Sequence, residues 1–145
     1  MVGAEEADRV HMRRAIALGR LALGRAWPNP AVGCVIARGE LMLGEGATAQ
    51  GGRPHAEEQA LAMAGGGARA ATAFVTLEPC AERSSGAASC AELLLAARVA
   101  RVVAACRDTS DHAAGKGLER LKDAGVQVEI GFLAEEAEVL SAGFL

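Results

Sequence analysis

Four short apolar runs, AVGCVIA, AFVTL, ARVVAAC and VQVEI, punctuate the chain, and stretches of helical length separate the last three. Of these runs, short and bounded by Gly or polar residues, AVGCVIA reads as a buried strand and the other three as strands. Strands that alternate with helices build a sheet of mainly parallel strands covered on both sides. The predicted fold class is therefore α/β, a three-layer α/β/α arrangement around a central, largely parallel mixed sheet. At 145 residues the chain suits one domain, 1–145, with no room for a second.

The intervening stretches fill in this outline. Apolar residues at helical spacing from Met12 to Gly24 predict a first helix, with Asp8 as its N-cap. WPNP breaks it, because two prolines around Asn29 force an extended turn. ELMLGEG reads as the strand paired with AVGCVIA across a turn at Gly39. Helices are expected over His55–Ala64, Ala87–Ala97 and Gly115–Ala124, and a last one over LAEEAEVLSAGF. GGGARAAT is expected to be a loop. The glycines of GEG around Gly44 and GGG at Gly65 read as turns; neither has the lysine of a phosphate loop.

Charge and composition narrow the partners. Apolar residues make up 51% of the chain, the net charge is −3, and no run of Lys or Arg stands out. That argues against a nucleic-acid backbone as partner. No apolar stretch reaches spanning length, and the N-terminus lacks the basic-then-apolar order of a signal peptide. The expectation is a cytoplasmic protein with a small-molecule substrate and no membrane. There, four cysteines serve as metal ligands or core residues rather than disulfides.

Two motifs carry the chemistry. RPHAEEQAL sets His55 and Glu57 two residues apart where a helix begins, and TLEPCAERSSGAASC supplies Cys80 and Cys90 after a strand. Each helix in such a fold starts at the carboxyl edge of the preceding strand, so both motifs are expected at one edge of the sheet. Zinc accepts imidazole nitrogen and thiolate sulfur, and a catalytic site uses three protein ligands with one position for water. His55, Cys80 and Cys90 supply three, and a zinc-bound water ionises near neutral pH. Glu57 is then the carboxylate that moves protons. This is the zinc-deaminase pattern H-x-E…P-C-x-x-C, except that nine residues rather than two separate the cysteines.

The segments WPNPAVGCVIARGE, GGRPHAEEQAL, FVTLEPC, ARVVAACRD, AGKGLERLKDAGVQVEIG and EAEVLSAGFL occur in that order. Together they resemble the deaminase domain of the bifunctional riboflavin-biosynthesis deaminase/reductase family, from about Asp8 to Leu145. The resemblance implies a cytidine-deaminase-like fold, one zinc per subunit, and hydrolytic loss of the 2-amino group from a diamino-ribosylamino-pyrimidinone 5′-phosphate. It implies His55, Cys80 and Cys90 as ligands and Glu57 as proton shuttle. Asn29 is implied to hydrogen-bond the pyrimidine, and Asp108 to lie on a loop enclosing the ribosyl phosphate. Homodimers or homotetramers are implied, and, since no reductase domain is expected here, a separate reductase.

The departures from that family are local. Thr48 stands where the family commonly carries a histidine, Glu82 occupies another histidine place, and DTSD replaces Asp-Pro-Asn-Pro. Arg83 is the residue that could restore positive charge beside Glu82. All three changes fall where substrate, rather than metal, is held. A paralogous deaminase of another nucleobase, nucleoside or pteridine-like ring is therefore the alternative substrate reading. A catalytically silent zinc-stabilised subunit is the alternative class, and a thiol-redox role a third that the lack of C-x-x-C disfavours. Cys34 and Cys106, inside strand-like runs, read as buried hydrophobes. Glu78 reads as a structural hydrogen-bonding carboxylate, and His11 and His112 as solvated.

Overall fold

The computed structural model describes residues 3–25, 30–80, 89–107 and 115–140. Helix α1 spans Ala4–Ala22 and is followed by strands β1 (Gly33–Arg38) and β2 (Leu41–Ala47). Next come α2 (Ala56–Ala64), β3 (Thr72–Leu77), α3 (Cys90–Ala96) and β4 (Arg101–Cys106). The chain continues through α4 (Lys116–Asp123), β5 (Gln127–Ile130) and a short α5 (Ala134–Ala137), with a 3₁₀ turn at Glu138–Leu140.

The five strands form one sheet in the order β2-β1-β3-β4-β5. β1 is antiparallel to β2 and to β3, whereas β3-β4 and β4-β5 are parallel. Four strands thus run one way and only β1 is reversed, which is the largely parallel mixed sheet expected. The reversal follows from the tight β1-β2 turn, whose Gly39 has φ 58°. Its consequence is positional. β2, β3 and β4 all finish at the same edge, and the segments that follow them gather there.

Alternation along the strands sorts the core into two layers. Cys34 and Ile36 of β1, Ala73 and Val75 of β3, and Val102 and Ala104 of β4 meet Ala60 of α2, Leu94 of α3 and Leu121 of α4. Val35, Ala37, Phe74, Val103 and Ala105 point the other way and meet Met12, Ala15 and Ile16 of α1 and Ala137 of α5. The three-layer arrangement is therefore observed.

Helix α1 starts earlier than expected. Its N-cap is Gly3, with Glu5 and Glu6 in the first turn, where carboxylates favour the helix dipole. Asp8 lies inside the helix rather than capping it, and pairs with Arg101 Nη2 at 2.7 Å. His11 is likewise not solvated. It falls on the buried stripe of α1, 4% exposed, with Nε2 2.7 Å from Gly39 O and its ring 5.3 Å from that of Phe74. The last helix is shorter than expected over its described part, ending in the 3₁₀ turn. GEG lies within β2 rather than in a turn.

Candidate metal and catalytic site

The site begins with the way α2 meets β2. Gly46 faces α2, and a Cβ built there would overlap Ala56 O and lie 2.6 Å from Gln59 Cβ. Only glycine lets the first turn of α2 lie so near the strand. His55 is the N-cap of α2, in extended backbone at φ −70°, ψ 160°, and its N–H donates to Glu58 Oε1 at 3.4 Å. A side chain at the N-cap leaves the helix at its mouth, while Glu57 lies within the first turn and is buried, 4% exposed.

Cys80 is placed by the end of β3. Cys90 opens α3, where the Ser89 side chain caps the helix by accepting from Glu92 N–H at 3.1 Å. The two cysteines are tied by backbone as well as by proximity. Ala91 N–H donates to Cys80 O at 3.0 Å, and Cys90 N–H donates to Cys80 Sγ at 3.2 Å. An N–H aimed at sulfur suits the thiolate that a metal requires.

His55 Nδ1 lies 3.3 Å from Cys90 Sγ, and the donor atoms of His55, Cys80 and Cys90 all fall within 4.8 Å of one another. Zn–S near 2.3 Å and Zn–N near 2.0–2.1 Å put one nitrogen and two sulfurs in tetrahedral array roughly 3.5–3.8 Å apart, so the set fits zinc after small adjustments. Among the described residues no fourth His, Cys, Asp or Glu joins the cluster. Catalytic zinc sites use three donors of this chemistry with a fourth position for water.

These donors and Glu57 line a single cavity of about 120 Å³, together with Pro30, Val32, Thr48, Ala56, Leu77 and Glu78. Burial pushes the Glu57 carboxyl above its ordinary range. The Glu57 backbone N–H opposes that, the Cys80 charge adds to it, and His55 and the Cys90 thiol oppose it. Beneath the cavity, Cys34 is fully buried, as expected, and burial raises its thiol well above the usual value, with the Glu57 charge second. Cys106 is only half-buried at the end of β4, so it is not the core hydrophobe expected; burial, then Glu138, raises its thiol.

At and beside the cavity, three residues have partners that the sequence does not name. Thr48 is buried, and its Oγ1 accepts from Val32 N–H at 2.9 Å and lies 3.2 Å from Pro30 O and 3.3 Å from Val32 O as a donor. Its hydroxyl is thus engaged in fixing the 30–32 segment as one wall of the cavity. Glu78 holds α4, as its structural reading anticipated: Gly115 N–H donates to its Oε1 at 3.0 Å and Leu118 N–H to its Oε2 at 3.5 Å. Gly117 packs on the Pro79 carbonyl, and a Cβ there would lie 2.9 Å from Pro79 C. Asn29, Arg83 and Asp108, together with Glu82 and His112, lie outside the described residues.

Fold and donor set together define a zinc-deaminase architecture. Residues 5–106 match the family model described as "Cytidine and deoxycytidylate deaminase zinc-binding region", and the chain belongs to that family. Within it, the chain is 46% identical over 138 residues to the riboflavin biosynthesis protein RibD of Escherichia coli, an alignment that covers 95% of this chain and 37% of the relative. It is 39% identical over 137 residues to the diaminohydroxyphosphoribosylamino-pyrimidine deaminase of Buchnera aphidicola, covering 94% of this chain and 92% of that protein. A solved structure of Acinetobacter baumannii RibD superposes with a TM-score of 0.92 at 46% identity, covering 97% of this chain and 39% of that one. The chain spans little more than a third of the length of the RibD relatives it matches.

Proposed function

We propose that this chain is a zinc-dependent hydrolytic deaminase whose substrate is a diaminohydroxyphosphoribosylaminopyrimidine. The observation that carries the reading is the convergence of His55, Cys80 and Cys90 on one point, with buried Glu57 in the same cavity. The likeness to the Buchnera aphidicola deaminase over most of both chains supports the substrate. In the reaction a ring carbon exchanges its exocyclic amine for the oxygen of water, and ammonia leaves.

Bound zinc supplies a Lewis acid that brings the pKa of a coordinated water near 7. The protein's residues do the rest. His55, Cys80 and Cys90 hold the metal, and Glu57, which is not among the ligands, takes a proton from water and returns it to the ring nitrogen and the departing amine. Glu57, buried in the cavity that the three donors line, is placed to carry that proton between the two steps. Pro30, Val32 and Leu77 give the pocket apolar walls that exclude bulk water from this exchange. Asn29, Arg83 and Asp108 are proposed to contact the substrate. A cytoplasmic homodimer or homotetramer completes the proposal, and sedimentation of the purified protein tests the oligomer.

A second substrate reading has one observation in its favour. Thr48 lines the cavity, yet its hydroxyl serves the backbone of Pro30 and Val32, so it does not read a ring as a free side chain would. Ammonia release by the zinc-loaded protein, measured over a panel of aminopyrimidines, nucleosides and pteridines, separates the two. Turnover confined to the phosphoribosylaminopyrimidine is expected; preference for a free base or nucleoside would shift the assignment, and no release from any compound would refute the deaminase reading.

A further inference from the structure

Glu78 makes contacts that reach beyond helix closure. It is buried, 4% exposed, and stands between β3 and Cys80. Its backbone N–H donates to Cys106 O at 2.9 Å, where β4 ends. Its carboxylate accepts from Gly115 N–H at 3.0 Å and Leu118 N–H at 3.5 Å, where α4 begins. One residue therefore grips both ends of the β4-to-α4 connection. Beside it, the absence of a side chain at Gly117 lets α4 rest on the Pro79 carbonyl. Cys80 follows, with its carbonyl bonded to Ala91 N–H at 3.0 Å and its sulfur to Cys90 N–H at 3.2 Å. The contacts run without a gap from α4 through Glu78 and Pro79 to one sulfur donor, and from there to the other.

We propose that Glu78 is a positioning residue for metal capture: by clamping the first turn of α4 against Pro79, it sets where Cys80 Sγ sits relative to Cys90 and His55. The inference rests on the reading that these three residues hold zinc. The chemistry of the clamp requires a carboxylate. Two backbone N–H groups converge on it, and both its oxygens accept. A glutamine has one acceptor oxygen and would turn an NH₂ group toward one of those donors, leaving it unpaired where water is scarce. Donors held in place before the metal arrives lose less freedom on binding it, so a loosened clamp weakens capture without removing a ligand. Linkage makes the effect reciprocal: if the clamp raises zinc affinity, zinc must tighten the clamp.

The test uses the full chain. Zinc affinity is measured by competition with a chromophoric chelator for the unmodified protein, for Glu78→Gln, and for Val103→Ala, a core change in the layer against α1. Glu78→Gln should bind zinc about 10–100-fold more weakly, the range for residues that orient metal ligands. Val103→Ala should lose stability yet keep its affinity. The cobalt-substituted Glu78→Gln protein should also show displaced thiolate-to-metal charge-transfer bands. In the unmodified protein, hydrogen exchange at the Gly115 and Leu118 amides should slow when zinc is added, a readout that stands even where Glu78→Gln does not fold. Affinity and spectra unchanged in Glu78→Gln, or exchange at those two amides indifferent to zinc, would overturn the proposal while leaving the metal site intact. An unmodified protein that takes up no zinc would remove the metal reading, and this inference with it.

Discussion

Glu57 is the residue on which the proposed chemistry turns, because it combines burial with closeness to the donor cluster without belonging to it. Glu57→Gln preserves shape and removes the ionisable oxygen, so zinc content and thermal stability should persist. Turnover should fall about 10²–10⁴-fold, the usual contribution of a positioned acid or base. Zinc-loaded Glu57→Gln with unreduced ammonia release would take the proton-transfer role away from this residue. Thr48 makes a different kind of contribution. Thr48→Val keeps the branched shape but leaves Val32 N–H without its side-chain acceptor, which should cost about 1–3 kcal/mol and raise KM more than it lowers kcat. Thr48→Ser should recover most of both, and a Thr48→Val enzyme with unchanged KM would show that the 30–32 wall is not set by this hydroxyl.

At the scale of elements, the geometry of the site depends on α2 being held against β2. Gly46→Ala would drive a methyl into Ala56 O and Gln59 at the base of the helix that carries His55 and Glu57. The expected cost is about 1–3 kcal/mol of stability, as for other overpacked interiors. Activity should drop by more than the folded fraction accounts for, since the displaced helix is the one that carries the site. Gly46→Ala with normal stability, measured by chemical denaturation, would mean that the interface has slack the close packing does not suggest. What sequence could reveal about the elements follows the same division. β1, β3 and β4 were legible because their largely buried Val, Ile and Ala runs need no partner to be recognised, whereas the mostly exposed β5 showed through its β-branched residues in alternation. The start of α2 was legible because His55 and Glu57 mark a first turn. The start of α1 was not: AEEA has helix-forming residues but no apolar period, and Asp8 offered a cap signal that its pairing with Arg101 overrides. His11 was misread because a single histidine looks polar, although its spacing from Ala7 and Ala15 puts it on the buried stripe.

For the whole molecule, one reversed strand decides where everything meets. With β2, β3 and β4 finishing at one edge, His55, Cys80 and the end of β4 converge although they are distant in sequence. That convergence could be argued from alternation of strand and helix, and the donor set from residue types. The role of Glu78 could be argued as well, but not its partners Gly115 and Leu118, nor those of Thr48 and Gly117, because these are backbone contacts that no motif announces. Binding of zinc only to the folded chain should stabilise it, by about 2.7 kcal/mol when free zinc is 100 times its dissociation constant. A chelator should therefore lower the melting temperature as well as abolish turnover, and added zinc should restore both. A melting temperature insensitive to chelator would contradict a metal held by the native fold.

The most direct measurement joins composition to chemistry: zinc per chain and ammonia released from the phosphoribosylaminopyrimidine, determined on the same preparations of the unmodified, Cys80→Ala and Glu57→Gln proteins. One zinc with turnover, no zinc without turnover, and one zinc without turnover, in that order, is the expected result. Full turnover by Cys80→Ala lacking zinc would contradict the central claim that His55, Cys80 and Cys90 hold the metal at which hydrolysis occurs.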